Sequence, residues 1–163
     1  MLDRQGVDEL YGASYRRLVV QLYAICGDLA EAEDAVQEGF VAAMRKHRQF
    51  AQVDNPEAWV RATAINYLRR RWRHAAVVRK YQPRVPGPQA PVEVGPEHVG
   101  IVTALAQVDV GLREAVVLHY LADMGTAEIA AELGIPQGTV KSRLSRAREL
   151  LADLLEDKEE RHA

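Results

Sequence analysis

Very little in this chain points to covalent chemistry. There is a single cysteine, Cys26, so no internal disulfide can form. It sits in an apolar helical run, where a buried structural thiol in a reducing compartment is expected. No cysteine or histidine pairs recur at zinc-ligand spacing, and His47, His74, His98, His119 and His162 are scattered. A phosphate-binding glycine loop and a nucleophile elbow are both missing. The expectation is a protein that is not an enzyme, with no catalytic residues, no metal, no cofactor and no small-molecule substrate. No apolar run approaches the roughly 20 residues of a membrane span. The start, MLDRQGVDELYG, has neither a basic nor an apolar leader segment. A soluble, cytoplasmic protein with no membrane partner is expected.

Aromatic residues are sparse at 6 %, and long β-branched alternation is absent. Five of the 7 prolines fall within Gln82–Pro96. The hydrophobic fraction of 48 % is ample for real cores. The fold class is therefore all-α, with two small helical domains joined by a Pro/Gly-rich linker. The expected division is a first domain over 1–80, a tether over 81–96 and a second domain over 97–163.

The net charge is only −2, but the charges are segregated. Asp28 to Glu38 holds five acids and no base. Ala62 to Arg84 holds seven Lys or Arg and no acid. A second basic block lies in the last helical segment, ahead of an acidic tail. Two separate basic surfaces suit phosphate.

The stretch from Gly125 to Leu150 organises the rest. Ile129, Ala130 and Leu133 share one helical face. Gly134 follows where a left-handed residue fits, and Pro136 cannot continue the first helix. Val140, Leu144 and Ala147 then point inward from a second helix. This is helix-turn-helix patterning, in which the second helix enters a DNA major groove. A plain helical hairpin with a solvated basic face is the competing interpretation. Upstream, three further helices are predicted: Asp8 to Cys26, Ala30 to His47 and Pro56 to about Ala75. Asn55-Pro56-Glu57 supplies a cap, a first-position proline and an acid at the positive helix end. On the second of these helices Ala32, Ala35, Val36, Phe40, Ala43 and Met44 should be buried. Glu97 to Val108 and Leu112 to Leu121 should be two more helices, and Thr126 a cap.

The words QGTVKSRLSRAREL and REAVVLHYL resemble region 4 of bacterial sigma factors of the small extracytoplasmic-function (ECF) group. AEDAVQEGF and AWVRATAIN resemble region 2 of the same group. That resemblance implies a promoter-specificity subunit of RNA polymerase. It makes Asp34, Gln37 and Glu38 the contacts to core RNA polymerase. It makes Trp59, Arg61, Asn66, Arg69, Arg70 and Arg73 the residues that read and hold the melted −10 element, with the loop around Phe50 to Asn55 forming a pocket for a flipped base. Gln137, Thr139, Lys141, Ser142, Arg143 and Arg146 become the residues at the −35 element. Promoter DNA and core polymerase are the implied partners, and many relatives are also held by an anti-sigma factor. Arg70 stands where many relatives have Asp or Asn, and Asp109-Val110-Gly111 replaces a proline-containing turn. A free-standing helix-turn-helix regulator and a sigma-like interaction protein that does not initiate transcription are the alternatives.

Overall fold

The computed structural model describes residues 4–77 and 93–162, the side chains of 76–77, 97–98 and 154–162 excepted. Every regular element among them is helical: α1 (Arg4–Cys26), α2 (Leu29–Arg45), α3 (His47–Phe50), α4 (Pro56–Val77), α5 (Pro96–Leu105), α6 (Val110–Val116), α7 (Thr126–Leu133) and α8 (Gln137–His162). The chain separates into two compact units. The first contains residues up to Leu22 and Ala30–Val94; the second contains Tyr23–Leu29 and the chain from Gly95. Most of the expected linker lies outside the described residues.

In the first unit the core is built from helix faces at three- and four-residue spacing. Leu18, Val19 and Leu22 of α1, Ala32, Ala35, Val36, Phe40 and Ala43 of α2, and Val60, Ala64, Ile65 and Leu68 of α4 are all buried. Small residues let α2 and α4 approach closely. A Cβ added to Gly39 would stand 2.9 Å from the Val60 carbonyl oxygen and 3.0 Å from Val60 Cγ1. Gly27 ends α1 with φ of +75°, a left-handed conformation that costs glycine nothing. At the start of α4, Asn55 Oδ1 accepts a hydrogen bond from the Ala58 N–H at 3.1 Å, satisfying one of the donors a helix start leaves open.

Several expectations are corrected here. α1 begins at Arg4 rather than Asp8, and the predicted second helix breaks at Lys46, so that α3 is a separate turn. Phe50 is not a loop residue. Its side chain is fully buried, and its ring meets Trp59 edge-on with centroids 5.2 Å apart. Met44, expected inside, is 47 % exposed. Cys26 is half-buried, and its thiol donates to the Asp28 carbonyl at 3.2 Å.

In the second unit α6 does not run on as a plain α-helix. After Val116 it opens into one π-helical turn, Val117–Leu121, with Ala122 N–H bonding to the Val117 carbonyl at 3.1 Å. Asp109 is its N-cap and accepts from the Gly111 N–H at 3.3 Å, so the Asp109-Val110-Gly111 turn starts a helix without proline. The segment ends at Asp123, whose φ is +53°, and His119 Nδ1 bonds the Met124 carbonyl at 2.9 Å. α7 and α8 form the expected hairpin. Gly134 is left-handed at φ +67°, and Ile129, Ala130, Val140, Leu144 and Ala147 are buried. Thr126 is not the cap of α7. Gly125 holds that position without a side-chain bond, and the Thr126 hydroxyl instead accepts from Gln137 Nε2 at 2.8 Å.

Candidate nucleic-acid and protein interfaces

The second unit presents a cationic helix face. Val140, Leu144 and Ala147 turn one side of α8 into the hairpin core. At about 3.6 residues per turn, Lys141, Ser142 and Arg146 are thereby left on the outside, and all three are exposed. They begin within the first turns of α8, where N–H groups and the helix dipole also favour phosphate.

The other expected residues are partly committed elsewhere. Gln137 is exposed, but its amide holds Thr126 and so ties the start of α8 to the start of α7. Thr139 is half-buried, and its carbonyl accepts from the Ser142 hydroxyl at 3.0 Å. Arg143 is also half-buried and lies across the start of α6. Its Cζ and Nη1 would be 3.4 Å from a Cβ on Gly111. Arg148 is engaged with Tyr120, donating from Nε to the phenol oxygen at 2.7 Å. Ser145, which the helical spacing also leaves outside, is exposed one turn beyond Lys141 and Ser142.

In the first unit α4 carries a second face. Trp59, Asn66, Arg70 and Arg73 recur at seven, four and three residues, which is one stripe of a helix. Asn66, Arg70 and Arg73 are exposed; Arg69, at the stripe's edge, and Trp59 are half-buried. Arg61 does not belong with them. At about 100° per residue, it lies roughly 140° round the helix from Asn66. It shares the core side with Ala64 and Leu68, is 4 % exposed, and donates from Nη1 to the buried Gln21 Oε1 at 3.3 Å. Its guanidinium therefore braces α4 on α1 instead of reaching a nucleic acid. The start of α4 is fixed by Glu57, which receives the Arg17 guanidinium at 2.7 Å and, chiefly through that hydrogen bond, raises its pKa. Phe50, committed to the core beneath Trp59, is withdrawn from any base pocket, leaving the exposed Gln52, Asp54 and Asn55 at the loop surface.

The polar side of α2 brings Asp34, Gln37 and Glu38 together, all half-buried, with the exposed Val41 one turn on. Glu38 lies 3.9 Å from Arg45. Gln37 donates to the Tyr15 hydroxyl at 3.4 Å. Burial pushes that phenol up to about 12, against the opposing pull of the Gln37 bond. Tyr15 also stacks on Tyr11 with ring centroids 4.6 Å apart. Sequence reasoning passed over the next cations, Arg45, Lys46 and Arg48, which together with His47 are exposed in succession around α3; a run of basic residue types was the available signal. Among the described residues no group of three or more His, Cys, Asp or Glu could hold a metal, and no helix is long and apolar enough to cross a membrane.

A helix-turn-helix with an exposed cationic face, and a separate bundle with an amide and arginine stripe, define a two-unit DNA-binding protein. Comparison with known proteins makes the class specific. The sigma-70 region 2 family matches residues 10–76, and the sigma-70 region 4 family matches residues 98–151. The ECF RNA polymerase sigma factor SigL of Mycobacterium tuberculosis is 36 % identical over 127 residues, covering 74 % of this chain and 72 % of the relative. SigM of the same organism is 30 % identical over 157 residues, covering 94 % and 79 %. Among solved structures, the sigma factor RpoE of Bartonella quintana, in complex with the anti-sigma factor NepR, superposes with a TM-score of 0.74 at 25 % identity, covering 91 % of this chain and 96 % of that one. The chain belongs to the sigma-70 family as an ECF RNA polymerase sigma factor. It acts in transcription initiation, with core RNA polymerase and promoter DNA as its partners, and is not itself an enzyme.

Proposed function

We infer that the two units divide the work of initiation. In this reading residues 1–80 contact core polymerase through Asp34, Gln37 and Glu38. The same domain holds the opened −10 strand along Asn66, Arg69, Arg70 and Arg73, with Trp59 at the head of that stripe. Residues 97–163 read the −35 element through Lys141, Ser142 and Arg146, and residues 81–96 tether the two. Gln137, Thr139 and Arg143 then serve mainly to fix the start of α8 and its seat on α6, with any DNA contact from them secondary.

The observation that carries this division is the sorting of side chains on α4. Asn66, Arg70 and Arg73 occupy one solvent-facing stripe with Arg69 at its edge, while Val60, Ala64, Ile65, Leu68 and Arg61 turn inward. An unpaired strand needs that combination: edges for an amide, phosphates for guanidinium groups, and ring or guanidinium planes for stacking. On α2 the half-buried acids and amide suit a basic groove on the polymerase, giving orientation and specificity. In this reading the protein works in the cytoplasm with its polymerase. The likeness to RpoE, solved with NepR, supports an anti-sigma partner for this chain as well.

Run-off transcription tests the division. Core polymerase and this protein are combined on the upstream region of its own gene. A specific transcript is expected from the wild type and is lost in both Lys141→Ala/Arg146→Ala and Asp34→Ala/Glu38→Ala. The first variant keeps polymerase binding and the second does not. A transcript that survives either double substitution overturns the assignment of that surface.

A further inference from the structure

The two helices that carry the faces given above to different partners are linked to one another. Trp72 Nε1 on α4 donates to Glu31 Oε1 on α2 at 2.9 Å. The neighbouring Arg71 has Nη1 3.7 Å from Asp34 Oδ2. The same nitrogen donates to the Tyr67 hydroxyl at 3.4 Å, with Arg71 Cζ 5.7 Å from the Tyr67 ring centroid. Glu31 and Asp34 are one helical turn apart, so adjacent residues of α4 meet successive turns of α2. Arg71 thus lies off the strand-holding stripe, against an acid assigned to the polymerase.

The two links differ in kind. Trp72 is half-buried and gives a short bond to a carboxylate that keeps the end of α4 in register with α2. Arg71 and Asp34 are 45 % and 39 % exposed, and their nearest approach is long. A pair so open to water is readily exchanged for a better one. Tyr67 offers the guanidinium a second resting place through its hydroxyl and ring, immediately beside Asn66.

We propose that Arg71 and Trp72 couple polymerase docking to strand capture, Trp72 as a positioning residue and Arg71 as a direct contact to the strand. Trp72 holds the strand-bearing helix on the polymerase-bearing one. A polymerase cation that engages Asp34 displaces Arg71, which then turns along Tyr67 to a phosphate of the opened strand beside Arg70. This rests on the assignment of Asp34 to the polymerase.

The test uses the full chain as wild type, Arg71→Ala, Arg71→Lys and Trp72→Phe. Affinity for core polymerase is measured by competition. Affinity of each holoenzyme for a single-stranded −10 oligonucleotide, taken from a promoter that the wild type transcribes, is measured over a salt series. Arg71→Ala should bind core as well as wild type or up to about threefold better, because Asp34 loses its internal competitor. Its holoenzyme should hold the strand about fivefold less well, and the slope of log affinity against log salt should flatten by about 0.7, one phosphate contact on a single strand. Arg71→Lys should restore the slope. Trp72→Phe keeps the packing but loses the N–H, and should weaken the strand about twofold with the slope unchanged. Arg71→Ala weakening core binding, or leaving the salt slope as in wild type, overturns the proposal. Asp34→Ala that binds core polymerase as well as wild type overturns the underlying Asp34 assignment itself, a distinct result.

Discussion

The same substitution should have opposite signs at two glycines of the first unit. In a helix interior, replacing glycine by alanine ordinarily stabilises by about 0.5–1 kcal/mol. Gly12 on α1 should follow that rule, because a Cβ there meets nothing within 4 Å. Gly39 on α2 should break it. Its Cβ would lie 2.9 Å from the Val60 carbonyl oxygen and 3.0 Å from Val60 Cγ1, with Val60 wholly buried. Carbon contacts are comfortable at about 3.5–4.0 Å, so relief requires α4 to move away from α2 by several tenths of an ångström. A backbone oxygen cannot rotate aside, and overpacking of this kind costs about 1–3 kcal/mol. Set against the propensity gain, Gly39→Ala should lose about 1–2 kcal/mol, lowering the melting temperature by roughly 5–15 °C for a unit of this size. Gly12→Ala should raise it by a few degrees. Tryptophan fluorescence isolates the relevant unit, since both tryptophans of the chain, Trp59 and Trp72, lie on α4. A Gly39→Ala protein that melts at or above the wild-type temperature would refute the argument that helix proximity outweighs propensity at this crossing.

Two further outcomes are expected. Tyr15 should ionise late, near 12, held there chiefly by burial. Between the ordinary phenol value of about 10 and that point, the unfolded chain gives up a proton that the folded unit retains. Stability therefore falls as pH rises through this window. Tyrosinate absorbance should lose its step near 12 in Tyr15→Phe, and persistence of that step would assign it elsewhere. At the helix-turn-helix, Gly134→Val forces a β-branched residue to φ of +67°. It should cost the second unit about 1–2 kcal/mol, read by chemical denaturation followed by circular dichroism; an unchanged midpoint would sink it.

Much of the helix punctuation was legible, because glycine, proline and capping residues act locally. Gly27, Asn55-Pro56 and Gly134 mark their boundaries by backbone conformation or a bond within one turn. The buried faces of α2, Met44 apart, and of α8 followed from periodicity for the same reason. The misreadings arise where a residue's type and its position disagree. Arg61 was assigned to a nucleic acid because it is arginine, although its spacing to Ala64 and Leu68 is that of a core position. Phe50 lay between two helices and was taken as loop, yet its ring is buried and packs edge-on against Trp59, nine residues on. The π-helical turn after Val116 shifts hydrogen bonding by one residue and has no local sequence marker. The Trp72–Glu31 and Arg71–Asp34 links join residues about forty apart in the chain. Neither periodicity nor local motifs can report such pairings, and in them the candidate site departs most from its linear reading.

The charge order of α8 has a consequence of its own. A helix is best satisfied with acids at its start and bases at its end. α8 has no acid in its first turn; Lys141, Arg143, Arg146 and Arg148 come early and Glu149 and Asp153 later. The side-chain charges therefore reinforce the backbone dipole instead of offsetting it. The helix forgoes some intrinsic stability and becomes a directional charge, attracted to a polyanion at one end and repelled at the other. An encounter made tail-first is turned away before any base is touched, so the orientation of the second unit on duplex DNA is selected during approach, at long range and in a manner that added salt would erase.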